Sequence, residues 1–128
     1  MSSSIKDFFK NLSEKDDYNP QKVLRIENAF GCRVSALCAK ILSYQESALF
    51  FDSKSFLKLL SYEEIIDAEK ELQVPFSTLK LIPIFDVGDN DFICFNGRAG
   101  CWCIFNVVDE LTYKDNQQLE SLLEKYLR

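Results

Sequence analysis

Five carboxylates and the absence of histidine frame the chemistry open to this chain. Asp86, Asp89 and Asp91 lie close together, and Asp109 and Glu110 are adjacent further on. Carboxylates at 86, 89 and 91 could supply oxygen ligands to a hard cation. Their spacing departs from the calcium-loop pattern of alternating Asp or Asn followed by Gly and a distant Glu. Gly88-Asp89-Asn90 is also turn chemistry for backbone reasons alone. Turn formation is therefore the first reading, partner recognition the second, and a metal site the third; none is assigned as a metal ligand.

The other reactive groups offer less. Cys101 and Cys103 share a strand face with Phe105. A catalytic cysteine needs a nearby base or cation to lower its pKa, and there is no histidine to help. Small buried hydrophobes are the simpler account. Trp102 faces the other side of that strand; packing is its first role and a partner-contact hot spot its second. Glu63 and Glu64 are neighbours on a helix, about 100° apart, and cannot jointly flank a scissile bond. With His at zero, Ser-His-Asp, Cys-His and HExxH arrangements are excluded within this sequence. The expectation is a non-enzymatic chain with no cofactor.

Charge then singles out one segment. Residues 1–80 carry 11 Lys/Arg against 12 Asp/Glu, and residues 111–128 carry three of each. Residues 81–110 carry Arg98 alone against the five acids, a net of −4 out of −5 for the chain. Acid is concentrated at the ends and turns of a strand meander, which points to an acidic recognition edge. It disfavours direct nucleic-acid binding, which needs clustered Lys and Arg, and favours a basic protein partner. No apolar run approaches the length of a membrane span. The start lacks the apolar centre of a secretory signal. Five cysteines, an odd number without a CxxC pair, read as reduced thiols in a cytoplasmic protein.

The elements that must position these groups follow from periodicity. Length fits one domain, with the 11 Phe among 128 residues predicting a Phe-rich core. Residues 1–18 read as an N-terminal helical arm, capped at Ser4, carrying Ile5, Phe8, Phe9 and Leu12 and ending at Asp16-Asp17-Tyr18; residues 19–128 form the domain proper. Asn19-Pro20 starts a second helix and Gly31 stops it. Ser35 caps a third, with Leu37, Cys38, Ile41 and Leu42. Ala48–Asp52 and Phe56–Leu60 are strand candidates. Ser61 and Glu64 have capping-box spacing for a helix running to about Leu72. Leu79–Val87, Asp91–Asn96 and Cys101–Val108 form the meander, with Pro83 requiring a sheet edge or a bulge and Asn96-Gly97 marking a turn. Asp115 or Asn116 caps a last helix with Leu119, Leu122, Leu123, Tyr126 and Leu127.

This order and several phrases resemble the SUKH superfamily, which comprises yeast cell-wall assembly regulators and many bacterial relatives. Ile26-Glu27-Asn28-Ala29-Phe30-Gly31 and Val34-Ser35 stand where the family closes one helix and opens the next. Leu59-Leu60-Ser61-Tyr62-Glu63-Glu64-Ile65 resembles its strand-to-helix phrase. Ile82 to Asp89 resembles its strand ending in Gly-Asp, followed by Phe92-Ile93-Cys94-Phe95. Trp102 to Glu110 matches its strand running into acid, with Asp109-Glu110 where His-Glu is common. The resemblance spans residues 20 to 127. It implies an α+β fold, a single domain with helices packed on a mostly antiparallel sheet. It also implies, for bacterial members, immunity proteins that bind and neutralise a toxin, often a nuclease; the yeast members act as regulators through protein contacts.

A nuclease cleft must be basic to hold phosphates, so an acidic surface would match it. The residues expected to bind the partner are Asp86, Asp89, Asp91, Trp102, Asp109 and Glu110. An open sheet edge makes a homodimer a further expectation.

Overall fold

The computed structural model describes residues 3–14, 19–44, 49–50, 57–116 and 118–126. Asp16-Asp17-Tyr18, Leu127 and most of the strand expected at Ala48–Asp52 lie outside the described residues. The architecture is α+β: helices α1 (Ser3–Ser13), α2 (Pro20–Phe30), α3 (Ala36–Tyr44), α4 (Tyr62–Leu72), α5 (Phe76–Leu79) and α6 (Leu119–Leu123) pack on one sheet. Strands β1 (Leu49–Phe50), β2 (Lys58–Leu59), β3 (Leu81–Gly88), β4 (Asp91–Asn96), β5 (Cys101–Asn106) and β6 (Leu111–Asn116) lie side by side in chain order. Every neighbouring pair is antiparallel.

The helix ends obey the local chemistry expected of them. Asn19 Oδ1 accepts from the N–H groups of Gln21 and Lys22, satisfying donors that the first turn of α2 leaves open. Gly31 ends α2 at φ 66°, a left-handed conformation that costs glycine nothing. Ser35 Oγ accepts from Cys38 N–H at the start of α3. At α4 both halves of the capping box are made: Glu64 N–H donates to Ser61 Oγ at 3.2 Å and Ser61 N–H to Glu64 Oε1 at 2.9 Å. The remaining Glu64 oxygen accepts from Lys58 Nζ at 2.6 Å, tying β2 to α4. Ser4 lies inside α1 and is not its cap.

Burial explains the three long central strands. Residues 81–85, 92–95 and 101–105 are buried without alternation, so both sheet faces are covered. Register places Phe92, Cys94, Cys103 and Phe105 on one face and Ile93, Phe95, Trp102 and Ile104 on the other. Phe76 of α5 meets Phe105 on the first face, with ring centroids 5.7 Å apart. Phe76, Phe85, Phe95 and Phe105 are among the largest fully buried side chains, which gives the Phe-rich core. The N-terminal helix contributes to it: Leu12 belongs to the core cluster and Phe8 meets Phe85 edge-on at 6.2 Å.

Of the two places expected for Pro83, a sheet edge or a bulge, the structure takes the bulge: the strand is interior, and a register shift between Pro83 and Phe85 absorbs the residue. Other elements differ from expectation. β3 begins at Leu81 because Lys80, at φ 60°, closes the short α5 before it. Residues 111–116 form β6, an edge strand exposed over 111–115 that lacks the burial pattern by which strands are read. Asp115 and Asn116 therefore belong to β6 and do not cap the last helix, which starts at Leu119 after Gln118.

Candidate functional site

Antiparallel order puts alternate turns at the same end of a sheet. The β3–β4 turn at Asp89-Asn90 and the β5–β6 turn at 107–110 therefore share one end, and the β4–β5 turn at 97–100 lies at the other. Val107 N–H donates to Asn90 C=O at 2.9 Å, joining the two near turns directly. Arg98, the only cation of residues 81–110, is at the far end, where its Nη2 donates to Thr78 C=O at 3.1 Å. The fold thus removes the segment's cation from its acids.

Each turn is built by short polar side chains. Asp89 and Asn90 have φ of 54° and 67°, as a two-residue type I′ hairpin requires, between the paired Gly88 and Asp91. Asp86 Oδ1 accepts from Gly88 N–H at 3.0 Å. Asn106 Oδ1 accepts from the N–H groups of Val108 and Asp109, at 3.0 and 2.9 Å, and shapes the second turn.

The five acids share this end without forming a row. Asp91 is half-buried: its Oδ1 accepts from Asn106 Nδ2 at 2.9 Å and its Oδ2 from the Tyr113 hydroxyl at 2.5 Å. Burial and this bond to the Asp91 carboxylate hold the Tyr113 phenol well above its ordinary pKa. Burial, then the Asp91 charge, raises the Tyr126 phenol. Asp91 is thereby committed to joining β4, β5 and β6. Asp86 is half-buried, opposite Phe92 and Lys58, and lines an open depression of about 300 Å³ with Leu72, Asp89, Phe92 and Val107. Asp89, Asp109 and Glu110 stand exposed, and among the described residues none makes a salt bridge.

Trp102 does not stand with them. It is 3 % exposed and packs edge-on against Phe95 at 5.3 Å, on a face closed by the core. The expectation of a contact role is corrected on that geometry: a ring so nearly covered offers a partner almost no surface to touch. Val108 and Leu111, which sequence reasoning did not single out, are the exposed apolar residues of this end. The only signal for them is that they bracket Asp109-Glu110, and pattern alone does not tell a buried valine from an exposed one.

Burial works against activation of the cysteines. All five are free thiols. Burial pushes Cys38 and Cys94 well above the usual thiol range and Cys103 to about 12. Burial also raises Cys32, where Lys80 opposes it. Thiols so shifted stay protonated near neutral pH, and the thiolate is the reactive form. Among the described residues, no three His, Cys, Asp or Glu converge in a way that could hold a metal ion, and no helix is long and apolar enough to cross a membrane. Compared with protein-family models, with curated proteins and with solved structures, the chain finds no match.

Proposed function

We propose that this chain is a non-enzymatic protein-binding domain that acts in the cytoplasm as an immunity protein, neutralising a basic toxin domain such as a nuclease. The observation that carries this reading is the joined pair of turns. Asp89, Asp109 and Glu110 are exposed at one sheet end, linked through Val107 and Asn90, with Arg98 at the opposite end. Unpaired charge gathered at one end costs folding stability through self-repulsion and speeds encounter with an oppositely charged surface. A cleft that binds phosphates is such a surface. The resemblance of residues 20 to 127 to the SUKH superfamily, whose bacterial members are immunity proteins, supports this reading. Asp86 and Asp91 act mainly by shaping the turns, and Asp86 adds charge to the adjoining depression.

The test is a tagged pull-down from the native host at low and high salt, repeated with Asp89→Asn/Asp109→Asn/Glu110→Gln. One basic partner should be recovered at low salt, lost at high salt and lost with the variant. Expressed without this chain, that partner should kill cells. A salt-resistant, non-toxic partner retained by the variant would replace this reading with that of a regulatory module.

A further inference from the structure

Four large apolar side chains stand exposed among the described residues, and three of them lie on one hairpin: Val108 at 69 %, Leu111 at 63 % and Tyr113 at 38 %. A lone exposed apolar residue such as Leu24 is ordinary. Three on one hairpin, with two carboxylates between the first pair, are a patterned surface. Their backbone is well defined, because Asn106 Oδ1 accepts from Val108 N–H and Val107 N–H donates to Asn90 C=O. The side chains are thus presented to water on a pre-shaped turn, where covering them is favourable in proportion to the apolar area removed from water.

We infer that the β5–β6 turn anchors the partner contact, with Val108 and Leu111 as its apolar anchors and Asp89, Asp109 and Glu110 as the charges beside them. The occupant is a basic protein surface that offers an apolar side chain between its cations. This rests on reading the acidic end as a binding surface. Charge complementarity selects the occupant: Asp109 and Glu110 lie between Val108 and Leu111, and Asp89 stands on the adjoining turn, so cations are called for beside whatever covers the apolar pair. A second copy is disfavoured at this tip, since it would bring like charge against like. The β6 edge is also broken for regular pairing, because Ile104–Tyr113 and Trp102–Asn116 leave an extra residue, Lys114 at φ 55°, on β6. Interfaces commonly place apolar anchors centrally, controlling dissociation, with charges at the rim controlling approach.

Two lysine-rich peptides of equal length and charge test this, one with leucines between the lysines and one with serines there. Each is titrated into the intact isotope-labelled chain and followed by NMR, at low and high salt. The leucine peptide should bind at least about tenfold more tightly, the scale expected for covering one such side chain, with shifts centred on 107–113. In Val108→Ser/Leu111→Ser, checked for an unchanged melting temperature, that advantage should vanish while the weak, salt-sensitive binding common to both peptides remains. Equal binding of the two peptides to the wild type, or shifts centred elsewhere, overturns the anchor and leaves the acidic reading standing. No binding of either peptide at low salt overturns both.

Discussion

Gly97 is glycine because of what stands opposite it. A Cβ there would fall 2.4 Å from Cys32 Sγ and 2.5 Å from Cys32 Cβ, while Gly97 N–H donates to Lys80 C=O at 2.8 Å. Its φ is outside the left-handed range; Gly100, at φ 70°, supplies that conformation in this turn. The Asn96-Gly97 pair, read in sequence as a turn signal, is therefore also the point where the β4–β5 turn meets the loop after α2. Gly97→Ala should cost about 1–3 kcal/mol of overpacking in urea unfolding, and Cys32→Ala should not rescue it, since its Cβ remains. Tyr113 yields a second prediction. Tyr113→Phe removes the hydroxyl that Asp91 accepts from and should cost about 1 kcal/mol. The sign of the pH effect follows from the raised phenol: its contribution is complete below the unfolded value near 10, and is lost as pH rises through the higher folded value. The variant should lose less stability between neutral and strongly alkaline pH than the wild type, measured by thermal melting.

Individual elements are held by their ends as much as by their faces. In α4, Glu64 serves the capping box with one oxygen and Lys58 with the other, so one carboxylate fixes where the helix starts and how it meets β2. Ser61→Ala should destabilise by about 1 kcal/mol. Burial raises the Glu64 pKa, but the bonds from Lys58 and Ser61 outweigh it, leaving it below the ordinary value. A depressed folded pKa contributes stability above the unfolded carboxyl value, about 4.3, that is lost as pH falls through the folded one. Glu64→Gln should accordingly lower stability at neutral pH and flatten the acid limb of a melting-temperature profile; an unchanged limb would show that the ion pair contributes nothing. The capping spacing was legible in sequence, and the ion pair was not, because Lys58 and Glu64 sit on two different elements, β2 and α4, six residues apart, outside the neighbour spacing of either.

At the scale of the whole molecule, the charge distribution separates folding from binding. Asp89, Asp109 and Glu110 make no salt bridge among the described residues. Asp89→Asn/Asp109→Asn/Glu110→Gln should therefore leave stability within about 0.5 kcal/mol of the wild type, or raise it slightly by relieving repulsion. Asp91→Ala should cost clearly more in the same denaturation measurement, because it strands Asn106 and Tyr113. Were the triple variant instead the less stable, the exposed acids would have to be assigned a folding role.

The sequence by itself determined the starts of α2, α3 and α4, the stop at Gly31, the existence of the meander strands with the bounds of β4, and the concentration of acid in residues 81–110; the α+β class was implied by the resemblance. These are properties of near neighbours along the chain: a cap reaches two or three residues, and strand alternation or apolar runs are local. Tertiary structure decided the rest. It closed Trp102 into the core, committed Asp91 to Tyr113, and moved Arg98 to the opposite end. It added β6, whose exposed residues 111–115 are ordered by pairing with β5 and not by a burial pattern of their own. It also left Val108 and Leu111 in water. Which of two equally apolar residues is covered depends on what the distant chain brings over it, and no local pattern carries that information.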